Sequence, residues 1–366
     1  MTHTAAPLTR VPWGAVVAFT LLAMGLAWLI ALPLWLGDLS EPGTAALFAP
    51  LVQVMMFTPA LATLVVVFLF RVPRGGPEHR GARLRFLGMW PLRPAKRVVW
   101  FTVGAMFAPL LVIAASIAIA AAFGWVTLDL VNFSGFAETL AASVPEEAAA
   151  LLPPAGTIVL LQLISLPFGV IYNCIFTFGE EIGWRGWLLP ALRPLGTWPA
   201  LVISGAIWGV WHSPAILLGY NFGLLDWRGV ALMTVACVLW GILLGWSRLR
   251  TGSVWPAVVG HAALNAGAAM VVLVAASGVE VNPVLVLPLG VAGWIAVAVA
   301  IVVLVLTGQF APSRQPPLAG PRPPKIMAPG PAVAPASVLP PSGVTQPGVT
   351  PSGVTPPGVT PPGSES

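Results

Sequence analysis

The chain has 366 residues, of which 57% are apolar and only 8% charged, with a formal net charge of +5. Ordinary soluble domains carry roughly 25% charged residues, so a soluble globule is excluded: these few charges could not cover its surface. The apolar residues also fall in long blocks, and about 20 consecutive apolar residues cross a hydrocarbon core.

Eight blocks follow in chain order, at about 12–36, 46–70, 98–123, 156–178, 198–219, 230–247, 254–278 and 284–307. The first exceeds the roughly 7–15 apolar residues of a secretory signal and lacks a clear small-residue cleavage site, so it is read as a retained span. Basic residues set the orientation. Arg10 precedes the first block, and Arg71, Arg74, Arg80, Arg83, Arg85, Arg93, Lys96 and Arg97 lie between the second and third. Arg248 and Arg250 follow the sixth; Arg314, Arg322 and Lys325 follow the eighth. Threading the N-terminus inside puts all of these on the cytoplasmic side. Asp38, Glu41, Asp129, Glu138, Glu146, Glu147, Asp226 and Glu280 then fall outside, with Arg228 as the basic exception. The reading is an all-α, polytopic transmembrane helical bundle of about eight spans, N-in and C-in. Its positive charge belongs to topology and to a lipid bilayer with an anionic cytoplasmic leaflet, with no nucleic acid as partner.

Three regions are expected. Residues 1–155 hold three spans, the basic cytoplasmic loop and an outside loop at 124–155 with a mildly amphipathic segment. Residues 156–308 form a second transmembrane region that carries the chemistry. Residues 309–366 are a Pro-rich tail ending in a five-residue repeat from Gly343-Val344-Thr345 to Gly358-Val359-Thr360, read as a disordered cytoplasmic extension. Cys174 and Cys237 both lie within blocks, as small hydrophobes with no disulfide framework.

Ionisable residues inside a bilayer are expensive, about 2.5–3.5 kcal/mol on insertion scales, and so have a task. They cluster at three places. In Gly179-Glu180-Glu181-Ile182-Gly183-Trp184-Arg185, placed at the cytoplasmic end of the fourth span, a continuing helix puts Glu181 and Arg185 on one face as an ion pair. Glu180 is turned about 100° away, which leaves it as the free carboxylate and the candidate general base. In Trp208-Gly209-Val210-Trp211-His212-Ser213-Pro214, the proline has no N–H for the Val210 carbonyl and kinks the helix beside His212. In Gly260-His261-Ala262-Ala263-Leu264-Asn265, an imidazole and an amide lie one turn apart on one face, placed to hold an oxyanion. Singly, these are a solvated helix end, a backbone-bonded histidine and an interhelical amide. Three on three spans, in this order, point to a site.

With their flanks Trp184-Arg185-Gly186-Trp187-Leu188-Leu189-Pro190 and His212-Ser213-Pro214-Ala215, these motifs resemble the CPBP family of intramembrane proteases. That family includes the type II CAAX prenyl endopeptidases and the bacterial Abi or bacteriocin-immunity proteins. The resemblance covers about 156–275 and departs at Trp208, where the family pattern has Phe; an aromatic there is expected to keep the packing role. It implies a multi-pass protein of a bacterial plasma membrane and an endopeptidase acting on a membrane-anchored or prenylated peptide. By position, Glu180 is implied to activate water with His212, Glu181 and Arg185 to support the site, and His261 with Asn265 to form the oxyanion pocket. No cofactor is required by this set. Zinc, if used, falls to Glu180, His212 and His261, a three-ligand set with an open position but without local His-Glu-x-x-His spacing. Two other functions fit the same residues: a non-catalytic immunity or scaffold protein, and a proton-coupled transporter. The second ranks lower because the two halves show no internal repeat.

Overall fold

The computed structural model describes residues 8–73, 81–149 and 151–316, together with Gly353 and Gly358. His3, Arg74, His79, Arg80, Arg322, Lys325 and, apart from those two glycines, the tail beyond residue 316 lie outside the described residues. The chain divides into two units, 1–322 and 323–366. Every helix among the described residues belongs to the first.

Apolar blocks become helices because hydrocarbon offers no water to satisfy backbone N–H and C=O groups. In chain order these are α1 (Trp13–Leu36), α2 (Phe48–Met55), α3 (Thr58–Phe68), α4 (Ala95–Ala122) and α5 (Ala155–Glu181). There follow α6 (Thr197–Trp211), α7 (Trp227–Thr251), α8 (Trp255–Gly267) and α9 (Val291–Leu306). Among the described residues, seven helical stretches are long and apolar enough to cross a membrane. Large side chains such as Leu21, Phe107, Ile164 and Val302 are left exposed along them, a surface suited to lipid rather than water. The protein is an integral, multi-pass membrane protein.

The expected block ends change in two places. The fourth block does not stop at 178. α5 runs to Glu181, enters a π-helical turn over Ile182–Leu188, and continues through Leu189–Leu192 and Arg193–Leu195. Glu180, Glu181 and Arg185 resemble a solvated helix end in the sequence, yet all three are buried. The fifth block is cut short at Trp211 by Pro214. With 15 residues, α6 is roughly 22 Å long, short of the ~30 Å hydrocarbon layer. Trp35, near the end of α1, donates its indole N–H to the Pro214 carbonyl at 3.0 Å, which satisfies backbone at the break.

Arg248 also departs from its expected place as a solvated cytoplasmic charge. It is fully buried, donating from Nε to the Arg185 carbonyl at 3.0 Å and from a terminal nitrogen to the Phe86 carbonyl at 2.6 Å. Gly88, at φ +72°, closes over it: a Cβ there would lie 2.6 Å from the guanidinium carbon. The basic stretch before α4 is thereby folded under the bundle, against the π turn.

The 124–155 loop forms a helix over Ser134–Ala142 and one antiparallel bridge between Leu128 and Ala275. Asp129 organises it by accepting backbone N–H groups of Val131, Asn132 and Ser134. Chiefly through the Asn132 bond, its carboxyl is lowered to about 2.

α6 and α7 cross at Gly205 and Gly209. A Cβ on Gly205 would lie 2.7 Å from the Val238 Cα, and one on Gly209 would overlap the Thr234 Cα. Small residues four apart allow such close backbone approach in membranes. Gly209→Leu is therefore expected to separate the two helices and destabilise the fold by at least about 1–3 kcal/mol, as overpacking does; an unchanged thermal midpoint in detergent would contradict this.

Candidate functional site

The site lies where the π turn, the broken end of α6 and the middle of α8 converge. Glu180 is the next-to-last residue of α5. Its Oε2 accepts the indole N–H of Trp184 at 3.3 Å and that of Trp208 at 2.7 Å. Two neutral donors hold the carboxylate in place without a cation. Glu181 takes the other role. Its Oε1 accepts Arg185 at 2.7 Å, and the His261 Nδ1 lies 3.0 Å from the same oxygen. The expected division between a cation-paired and an unpaired glutamate is present in the geometry.

The π turn matters here because wide turns of this kind interrupt α-helical regularity, frequently at functional sites. It is packed tightly on the α2–α3 bend: a Cβ on Gly179 would lie 2.8 Å from the Met56 carbonyl oxygen, and one on Gly183 would overlap Pro59. Arg185, in that turn, also stacks its guanidinium 4.2 Å from the Trp208 ring centroid.

His212 caps α6. Its backbone N–H reaches Gly209 at 3.2 Å instead of Trp208, and its Nδ1 lies 2.9 Å from the freed Trp208 carbonyl. A carbonyl only accepts, so Nδ1 carries the proton and the neutral ring presents Nε2 as an acceptor. The break expected from Pro214 thus also selects the tautomer. Cys237 Sγ approaches the same Nδ1 at 3.8 Å. His261 and Asn265 both lie on α8, one turn apart; His261 is buried and Asn265 exposed.

Glu180, His212, His261 and Asn265 line one cavity of about 290 Å³, with Trp208 and Trp240. Glu181 and Arg185 stand behind it, bonded to each other, with Glu181 also bonded to His261. All six expected residues are therefore brought to one place. As a zinc centre the set does not fit: among the described residues no three His, Cys, Asp or Glu side chains come together as an ion-binding group.

Residues 161–267, which include every one of these positions, match the family described as type II CAAX prenyl endopeptidase Rce1-like. This segment is similar to the Rce1-like family. It lies within the 156–275 stretch that carries the motifs, and the likeness there is to CAAX-protease-like intramembrane endopeptidases. No curated protein matches the chain.

Sequence reasoning missed three participants of the Rce1-like segment. Trp184 and Trp208 were visible only as aromatics, yet each supplies an N–H to Glu180. Arg248 ties the π turn to the basic stretch before α4. An aromatic with an N–H, near a carboxylate within a span, is the signal that could have found the first two, since buried indole nitrogens seek a partner. Trp208 does keep the expected packing role, and adds a hydrogen bond that Phe cannot make. Trp208→Phe should lower stability by about 1.5–3 kcal/mol, the usual worth of a hydrogen bond to a charged group, measured by unfolding in mixed micelles.

Proposed function

We propose that the chain hydrolyses a peptide bond inside the membrane by means of a water activated by Glu180 and His212. The observation that carries this reading is the convergence of Glu180, His212, His261 and Asn265 on one cavity within the bundle. Glu180 takes a proton from water while the water oxygen bonds the carbonyl carbon, and His212 orients that water through Nε2. The carbonyl oxygen, now negative, is held by His261 and Asn265. To donate from Nε2, the His261 ring must carry both protons, and Glu181 at Nδ1 is the counter-charge for that form. The proton on Glu180 then passes to the departing amine as the C–N bond breaks.

From Glu180, the helical path runs 15 residues to Leu195, and α6 returns over 15 residues to Trp211. Both catalytic groups thus sit roughly 20 Å along the helices from that turn. With the basic loops inside, N-in and C-in, that turn is cytoplasmic, and the two groups are reached from the cytoplasmic side at a depth within the membrane. A membrane-anchored or prenylated peptide, whose scissile bond is delivered at that depth, is the substrate class proposed.

The test is a cleavage assay with a farnesylated peptide and, separately, a membrane-anchored peptide in nanodiscs. His212→Ala is expected to lower turnover at least about a hundredfold, and chelation followed by metal quantification should leave the native rate unchanged. Full activity of the variant, or loss on chelation restored by zinc, would remove this mechanism.

A further inference from the structure

A second cavity, of about 550 Å³, opens between α4, α7, α8 and α9, and its walls include Phe101, Ala108, Leu243, Trp246 and Val303. It is apolar throughout. Ser247 on its wall gives its hydroxyl to the Leu244 carbonyl, and Trp240 gives its indole N–H to the Pro288 carbonyl. Val303 is 53% exposed and Trp100, also on the wall, 64% exposed. The cavity therefore reaches the face that meets lipid.

At one end the groove meets three arginines. α4 begins there, while α7 and α9 end there, so Arg97, Arg250 and Arg314 come together. Arg97 is 3.4 Å from the Arg250 carbonyl oxygen, and Arg250 donates to the Arg314 carbonyl at 2.6 Å. The Arg250 guanidinium lies 5.8 Å from the Phe101 ring centroid, at the groove's mouth. Among the described residues no carboxylate pairs with any of the three. Two donors at this end are buried without a hydrogen-bond partner: Arg250 Nε and Trp246 Nε1. Phe101 and Trp246 pack together with ring centroids 5.3 Å apart, so the orphan indole N–H stands one aromatic ring from the cationic cluster.

An apolar slot that ends in unpaired cations and unused N–H donors has the chemistry of an amphiphile with a negative head. We propose that the groove holds an acyl chain of one anionic phospholipid, with its phosphate among Arg97, Arg250 and Arg314. The Trp246 N–H is placed for an ester carbonyl between head and chain. A neutral isoprenoid would fill the slot but leave the arginines unmatched. Trp240 lines this groove and the catalytic-site cavity alike, and Gly260, next to His261, forms part of the groove wall. A seated lipid would press on the helix that carries His261.

Native mass spectrometry of the full chain in detergent tests this, with palmitoyl-oleoyl phosphatidylglycerol and the phosphatidylcholine of the same chains as probes. One phosphatidylglycerol should be retained in preference to phosphatidylcholine. The Arg250→Ala/Arg314→Ala variant should weaken that retention about fivefold per arginine removed. Gly104→Leu should block the groove without harming the fold, because a Cβ there meets nothing within 4 Å, and should abolish retention of the phosphatidylglycerol. Equal retention of the two lipids by the native chain would overturn the proposal, as would an unchanged preference in the arginine variant. One-for-one displacement of phosphatidylglycerol by a farnesyl thioether would assign the groove to an isoprenoid and overturn it too. If the arginine variant fails to fold, undiminished retention by Gly104→Leu overturns the proposal by itself.

Discussion

Glu180→Gln is expected to reduce cleavage by about 10²–10⁴-fold, the range associated with loss of a general base, while leaving the fold intact. The substitution is close to isosteric. Its side-chain oxygen still accepts the indole N–H groups that reach Glu180 Oε2 from Trp184 and Trp208, so neither tryptophan is orphaned. Only proton acceptance is lost. Turnover of a farnesylated peptide in nanodiscs, beside a thermal midpoint for each protein, separates the two effects. Full turnover in the Gln variant would exclude Glu180 as the base. A retained biological effect without turnover would favour a non-catalytic scaffold in the same cavity.

Arg185→Leu should be the most destabilising change in the site, by about 3–5 kcal/mol, because it leaves a buried carboxylate without its cation. Arg185 and Glu181 are both buried and 2.7 Å apart, and the guanidinium also covers the Trp208 ring. The double variant Glu181→Leu/Arg185→Leu removes both charges and should recover much of that stability, since paired apolar replacements of buried ion pairs are often neutral. Activity should not recover, because His261 would lose the oxygen that faces its Nδ1. Unfolding of all three proteins in mixed micelles, with turnover of the survivors, checks the pattern. A double variant no more stable than Arg185→Leu would show that the charges are not the source of the loss.

Much of this site was legible from spacing. The i, i+4 relation of Glu181 and Arg185 separated them from Glu180, and Pro214 marked the break beside His212. Both readings rest on local backbone geometry, which a short segment carries within itself. The fourth block was ended too early for an electrostatic reason. Glu180, Glu181 and Arg185 read as a boundary with water, whereas long-range partners from α6 and α8, Trp208 and His261, make their burial tolerable. Arg248 misled in the same way, because its acceptors are backbone carbonyls at Phe86 and Arg185, which no side-chain pattern advertises. The short length of α6 was hidden because apolar character continues past Trp211 into the turn that follows.

The π turn over Ile182–Leu188 has a consequence for how this chain can vary. It takes up one residue more than an α-helical stretch of nearly the same rotation, so a deletion inside it can restore ordinary pitch with the phase kept, whereas a deletion just after it, in Leu189–Leu192, would rotate everything downstream by about 100° relative to Glu180. Arg193, the reversal at Gly196 and the whole of α6 would arrive out of phase, and Trp208 and His212 would face away from the carboxylate. Insertions would do the same in the opposite sense. The stretch from Leu189 to His212 therefore behaves as a fixed-length gauge: its length is more constrained than the identity of its lipid-facing residues.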